Sequence, residues 1–461
     1  MTTVNGTTLI ELGYKPAKWF KDAIVFANHN NLLGSELEAY LKSVSPPPIV
    51  EIEPHKTPIS YFKNIIAETE EEISNVKSVV ATMDELMKTP TIVGGCVLPD
   101  SCPTGEIGQI PVGGVAVAKS AIHPSFHSAD ICCSVMATNF GKVNPQDVLN
   151  AAHSISHFGY GGRKELFDFP NDLLDKIKGN KFLNSEKSIM LAKSHLGTCG
   201  DGNHFIFNGL LKSTGETMMV THFGSRGFGA HLYKLGMEVA EKFRKEISPK
   251  TLAKNAWIPY DTEEGKSYWE ALKIVREWTK LNHTVLHDAT LRKLGVELKH
   301  RFWNEHNFVF KDENNLFYHA KGATPLSDKF VPDSVDGLRL IPLNMREPIL
   351  VVRGNTTETN LGFAPHGAGR NTSRSQHKRN NSHKTTEELF KEETKGLDIR
   401  FYSNTIDISE LPSAYKNAES VKNQMKQFGL GEVVDEIIPF GCVMGGEFAQ
   451  TWRKNKKLTN K

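Results

Sequence analysis

Met218-Met219-Val220-Thr221-His222-Phe223-Gly224-Ser225-Arg226-Gly227 joins a short apolar run to a glycine-bearing turn, and a helical pattern from Gly229 to Ile247 follows it. A run of this length bounded by glycine reads as a strand. Its histidine falls near the strand end, where side chains from several elements can converge on one point. Similar runs recur outward from it: Ile92 to Leu98, Val112 to Val117, Ser134 to Phe140, His204 to Phe207, Leu316 to His319 and Ile349 to Val352. A second long helical pattern, Glu263 to Leu294, carries Trp, Leu and Val at three- and four-residue intervals. Strands grouped with helices inserted, rather than strictly alternating, predict an α+β fold with central packed β-sheets surrounded by helices. Tyr61 to Lys88 has apolar residues at helical spacing and predicts an amphipathic helix. The first thirty residues read as a strand-turn pair leading into a helix, and Ser45 to Pro48 with Pro54 is the nearest approach to a linker.

Composition limits the class. With 39% hydrophobic and 23% charged residues, the 461-residue chain is not disordered. The lack of a Pro/Gly/Ser-rich divider favours one continuous domain over 1–461. A formal net charge of +2 gives no argument for nucleic acid. Local charge gives one: Arg370, Arg374, Lys378, Arg379 and Lys384 form a basic strip that could neutralise phosphates or simply be solvated, and a basic tail spans 447–461. Six cysteines in so long a chain do not form a disulfide framework. No signal pattern opens the chain and no apolar run approaches the roughly 20 residues of a bilayer span, so no membrane partner and a cytoplasmic location are expected.

Five segments place metal-ligand residues beside glycine or small polar groups: Ala129-Asp130-Ile131-Cys132-Cys133, Asp201-Gly202-Asn203-His204-Phe205, the His222 turn, Glu305-His306-Asn307-Phe308, and His366-Gly367-Ala368-Gly369-Arg370. Singly each has a plain reading, since Cys is commonly buried, Asp commonly begins turns, and histidines can be hydrogen-bonded core residues. Together they offer a carboxylate, a thiol and three imidazoles, a set able to hold transition metals. A thiolate can bridge two divalent ions, and two ions close together stabilise charge on transferring phosphoryl groups. Donor softness favours zinc or another late transition metal over manganese. The Gly-Ser-Arg-Gly and His-Gly-Ala-Gly-Arg turns let backbone N–H groups approach phosphate oxygens. His366 could be a turn residue, a base, or a nucleophile forming a phosphoramidate.

Asp-Ile-Cys-Cys at 130–133, Gly-Asn-His-Phe at 202–205, His-Phe-Gly-Ser-Arg-Gly at 222–227, His-Asn at 306–307, Lys-Gly-Ala at 321–323, and His-Gly-Ala-Gly-Arg with Ser-Arg-Ser at 373–375 resemble, in order and approximate spacing, the RtcB family of RNA ligases. The resemblance covers about residues 90–446, leaving an extra helical segment at about 31–88. It implies a 3′-phosphate/5′-hydroxy RNA ligase that uses GTP and two Mn ions, in RNA repair or tRNA splicing. Under it, His366 is guanylylated, Cys133 bridges the ions, Asp130 and His204 complete the first, and His222 and His306 the second. Asn203, Asn307, Gly367, Ala368 and Gly369 would contact the guanylate, with Pro342, Asn344 and Met345 in the nucleotide loop. The partners implied are GTP and RNA with 3′-phosphate or 2′,3′-cyclic phosphate and 5′-hydroxyl ends; no protein activator is named.

The chain departs from the pattern at defined places. Ile206-Phe207 stands where a hydrophobic residue and a guanine-reading Glu are usual, and Pro342-Leu343-Asn344-Met345-Arg346 replaces Pro-Gly-Ser-Met-Gly. Val443-Met444-Gly445 lacks the usual lysine, and Asp100-Ser101-Cys102 replaces Asp-Val-His. Metal and nucleophile positions are kept while base-reading positions change, which raises an altered nucleotide preference. Two rival readings are a metal-dependent phosphohydrolase or nuclease, and a non-catalytic RNA- or ribosome-associated protein.

Overall fold

The computed structural model describes residues 3–14, 16–45, 51–354 and 356–448. The linker-like Pro46–Pro48 and all of the basic tail beyond Phe448 lie outside the described residues. The sequence reads as one continuous unit; in the structure the chain divides into two compact units, 1–51 and 52–461. The 31–88 segment straddles that division.

The first unit is helical. Helices Gly6–Glu11, Trp19–His29 and Gly34–Val44 close around Leu9, Phe20, Ala23, Ala27, Leu37 and Leu41. The strand expected near the N-terminus is therefore a helix. Asn5 and Thr8 form a reciprocal cap that satisfies the first free N–H groups and fixes the helical start.

In the second unit, the helix expected over 61–88 begins only at Glu70 and runs Glu70–Leu86. Thr69 and Glu72 form a capping box that fixes the start, and Glu70, Glu71 and Glu72 complement the helix dipole. The residues before it are extended: Phe62–Lys63 pairs in parallel with Cys96–Val97. The Glu263–Leu294 helix lies where the sequence places it, bounded by the Thr262 cap and a left-handed Gly295. The helix after the His222 turn is Arg226–Ile247, three residues earlier than its apolar pattern suggests.

Two sheets organise this unit, as an α+β fold requires. A five-stranded sheet runs Phe62–Lys63, Ile92–Cys102, Val112–Lys119, Leu316–Lys321, Asn307–Lys311. The larger sheet runs Leu338–Ile341, Ile349–Arg353, Glu432–Met444, Phe205–Leu211, Thr217–Phe223, Ser134–Gly141, His300–Glu305, with Asp398–Phe401 alongside Glu432–Met444. His306 is the residue at which the chain leaves the edge of one sheet and enters the edge of the other. Ser134–Gly141 is buried along its whole length, and the Glu263–Leu294 helix packs on it through polar contacts. His283 Nε2 lies 3.0 Å from Ser134 Oγ, and Thr221 Oγ1 lies 2.6 Å from His283 Nδ1 and 2.7 Å from His287 Nε2. Burial pushes His283 down to about 3, so this stitching works with a neutral ring. No helix among the described residues is long and apolar enough to cross a membrane.

Candidate metal centre and nucleotide cavity

Antiparallel order brings the predicted ligands to one end of the large sheet. Phe205 pairs with His222, His222 with Val135, and Ser134 with Glu305. Residues just before Ser134 and Phe205 therefore meet residues at the ends of Thr217–Phe223 and His300–Glu305: Cys133, His204, His222 and His306. Main-chain bonds hold the turns, with Cys132 N–H donating to Asn307 O at 2.6 Å and His306 N–H to Cys133 O at 2.9 Å. Asp130 completes the set from the same turn as Cys133. Gly224 faces it so closely that a Cβ would stand 2.1 Å from Asp130 Oδ1 and displace the carboxylate.

Two groups of donors result, Asp130–Cys133–His204 and Cys133–His222–His306, each with its ligand atoms within 4.8 Å of one another. Cys133 Sγ is common to both, 3.2 Å from His222 Nε2 and 3.6 Å from His204 Nε2. His222 Nε2 and His306 Nε2 are 3.1 Å apart, as are His204 Nε2 and Asp130 Oδ2. His204 Nδ1 donates to Cys199 O at 2.8 Å and His222 Nδ1 to Asn203 O at 3.1 Å. With Nδ1 engaged in this way, His204 Nε2 faces the Cys133 sulfur and the Asp130 carboxylate, and His222 Nε2 faces the same sulfur and His306 Nε2, an arrangement that a cation satisfies.

The electrostatics agree. Burial, followed by the neighbouring imidazoles, holds His222 and His306 well below the usual range, so both are neutral. Burial alone would raise the Asp130 carboxyl, but the positive charge of a proton on His204, in the place a metal cation would take, and that of Arg226 outweigh it and hold it at about 2. Burial and then Asp130 push the Cys133 thiol well up. A thiolate there needs a cation beside it. The residues therefore fit two divalent metals.

His366 stands next to this centre, its ring centroid 4.9 Å from that of His306. It follows the Phe363–Pro365 strand, paired to Ala323–Pro325 beyond the Lys-Gly-Ala turn. Asp100, fully buried, accepts the His366 backbone N–H at 3.1 Å and lies 2.6 Å from Nδ1 through the same Oδ2. With the Nδ1 proton donated to Asp100, Nε2 is the nitrogen free to react. Gly369, at φ +71°, passes so near Asp100 that a Cβ would meet its carbonyl oxygen at 2.0 Å. Sequence reasoning noted Asp100 but gave it no role, because 266 positions separate it from His366. Asp100→Asn is expected to lower any nucleophilic reactivity of His366 Nε2 by roughly 10²-fold with metal content unchanged. Initial labelling rates and metal analysis of the purified variant check this; an unchanged rate would make Asp100 a support of the loop alone.

A cavity of about 240 Å³ opens from His366. Asn203, Pro342, Asn344, Met345, Gly367, Ala368 and Gly369 all line it, as do Phe207, Leu343 and Met444. Asn307 is not brought there. Its Oδ1 accepts Gly322 N–H at 2.7 Å and its Nδ2 donates to Asp130 O at 3.5 Å, a brace between turns. The basic strip is largely paired off: Arg370 and Arg374 with Glu410, Lys378 with Asp407 and Glu447, Lys384 with Glu392. Tyr415, under the Arg370 guanidinium at 4.3 Å, donates its hydroxyl to Glu410. Arg370, Arg374, Glu410 and Tyr415 form a polar cavity wall that sequence reasoning missed apart from the two arginines.

A family model described as tRNA-splicing ligase RtcB matches residues 167–445. A tRNA-splicing ligase RtcB of Aeropyrum pernix is 28% identical over 425 residues, spanning 74% of this chain and 87% of that protein. That of Nanoarchaeum equitans is 24% identical over 422 residues, with the same 74% and 87% coverage. An RNA-splicing ligase RtcB of Mycobacterium bovis is 25% identical over 295 residues, 57% of this chain and 67% of its own length.

Proposed function

The chain belongs to the RtcB family, and from that premise we propose that it is a metal-dependent RNA ligase working through a nucleotidylated His366. It joins an RNA 3′-phosphate, or a 2′,3′-cyclic phosphate once opened by water, to a 5′-hydroxyl. The observation that carries this reading is the His366–Asp100 pair beside the doubled donor set. The Nε2 lone pair attacks the α-phosphorus of a nucleoside triphosphate; an N–P bond forms, the bond to the bridging oxygen breaks, and pyrophosphate leaves. The Nδ1 proton stays on the ring, and the Asp100 carboxylate balances the imidazolium charge. An oxygen of the RNA 3′-phosphate then attacks the same phosphorus and breaks the N–P bond. The 5′-hydroxyl attacks the activated RNA phosphorus, loses its proton and expels the nucleoside monophosphate.

Asp130, Cys133 and His204 would hold one cation, and Cys133, His222 and His306 the other. When bound, two divalent cations would neutralise phosphoryl oxygens and orient the triphosphate. Manganese and GTP come from the resemblance; the donor set by itself suits zinc at least as well. The test is a ligation assay on RNA oligonucleotides bearing 3′-phosphate and 5′-hydroxyl ends, with Mn²⁺ and nucleoside triphosphate. Joined product is expected. Ends healed but never joined would instead support a phosphohydrolase.

A further inference from the structure

The base end of the cavity is apolar. Along the Phe205–Leu211 strand, Phe205 neighbours the metal-end His222, and Phe207 lies one two-residue step, roughly 6.6 Å, further on. On the other side of the ladder, Met444 pairs with Phe205 and Cys442 with Phe207. Leu343, Met345 and Ile349 complete the lining there. All of these except Phe205 are buried, and Phe207, Met345, Ile349, Cys442 and Met444 belong to one hydrophobic cluster.

The carboxylate and side-chain amides of the cavity are placed or engaged as follows. Asn203 stands at the metal end beside His204. Glu410 Oε2 accepts from Arg370 and the Tyr415 hydroxyl, and its Oε1 is ion-paired with Arg374. Asn344 spends its Oδ1 on the backbone N–H groups of Arg346 and Glu347, at 2.9 and 3.0 Å, which leaves its Nδ2 as a donor.

A purine base must match its edge to that wall. Guanine carries N1–H, two N2 hydrogens and the O6 acceptor, whereas adenine carries two N6 hydrogens and the N1 acceptor. The Asn344 amide can donate to guanine O6 or to adenine N1. After that bond, guanine has three N–H groups facing apolar side chains and adenine has two. Buried donors without partners weaken binding, and the base with fewer of them is favoured.

We infer that the nucleotide that loads His366 is an adenosine triphosphate rather than a guanosine triphosphate, selected by an apolar base wall and the Asn344 amide. This rests on His366 being the nucleotidyl carrier, as proposed above. The chemistry is unchanged: His366 Nε2 bonds to the α-phosphorus and pyrophosphate leaves, with adenylate in place of guanylate.

The test uses the full chain with Mn²⁺ and α-phosphate-labelled ATP or GTP, each alone and with the other as unlabelled competitor. Labelling from ATP is expected to be faster at subsaturating nucleotide by at least about fivefold, the equivalent of one further buried donor left unpaired. Equal or faster labelling from GTP overturns the adenine assignment and leaves the ligase reading standing. Labelling by neither nucleotide overturns the carrier role of His366 and this inference with it. Phe207→Glu, which puts an acceptor on the base wall, is expected to move the ratio toward GTP, and Met444→Lys serves as a second variant should the first fail a thermal melt. A ratio unmoved in folded variants of both kinds would show that this wall does not read the base.

Discussion

Cys133→Ala is expected to empty both metal positions and to lower ligation by roughly 10³-fold or more, because it deletes the one donor common to the two groups. A loss of that size corresponds to several kcal/mol of missing charge stabilisation at the phosphoryl groups. Without the sulfur, Asp130 and His204 form one two-donor remnant and His222 and His306 another, and neither retains three protein ligands. Metal analysis after dialysis against Mn²⁺ or Zn²⁺ should fall from about two equivalents to well below one. Cys132→Ala is the matched control. That thiol sits in the main hydrophobic cluster, so its loss should leave metal content intact. Retention of one full equivalent by Cys133→Ala would mean that the two groups do not share a ligand.

His366→Ala should do the converse: keep both metals and lose the chemistry. No nucleotide label should attach to the protein, and RNA joining should fall by roughly 10⁴–10⁶-fold, as when a nucleophile is removed from a site that otherwise binds normally. The ring is an edge member of the cluster, tilted against His306 and joined to Asp100 through Nδ1. Its truncation therefore removes none of the five donors. His366→Asn retains a polar side chain opposite Asp100 and should be equally inactive. Labelled protein in either variant would place the covalent nucleotide on another residue. Together the two sets of variants separate metal holding from nucleotide carrying.

Much of this site was legible before any coordinates, for a local reason. Cys133, His204, His222 and His306 each sit within a residue or two of a strand end and beside a glycine or small polar turn, so chemistry and local structure coincide in the same few positions. The Glu263–Leu294 helix was legible at both ends because Thr262 and Gly295 are local stop signals. What the sequence hid was non-local. That His306 joins two sheets depends on strand order, and the tie from Asp100 to His366 spans most of the catalytic unit. Asn307 has the right residue type for a nucleotide contact, yet its amide is consumed by Gly322 and Asp130. The basic strip looked free because its acidic partners, Asp407, Glu410 and Glu447, lie dozens of residues downstream. Near the N-terminus a short capped helix outcompeted a strand pattern too brief to be decisive.

Carriage of a nucleotide between triphosphate and RNA by His366 underlies the expected losses of joining. It is tested most directly by incubating the chain with Mn²⁺ and nucleoside triphosphate, mapping the modified peptide by mass spectrometry under non-acidic conditions, and chasing with RNA ending in a 3′-phosphate. One nucleoside monophosphate on the peptide containing His366, discharged by the RNA, is the predicted result. An adduct on a different residue, or none while RNA ends are joined, would contradict it.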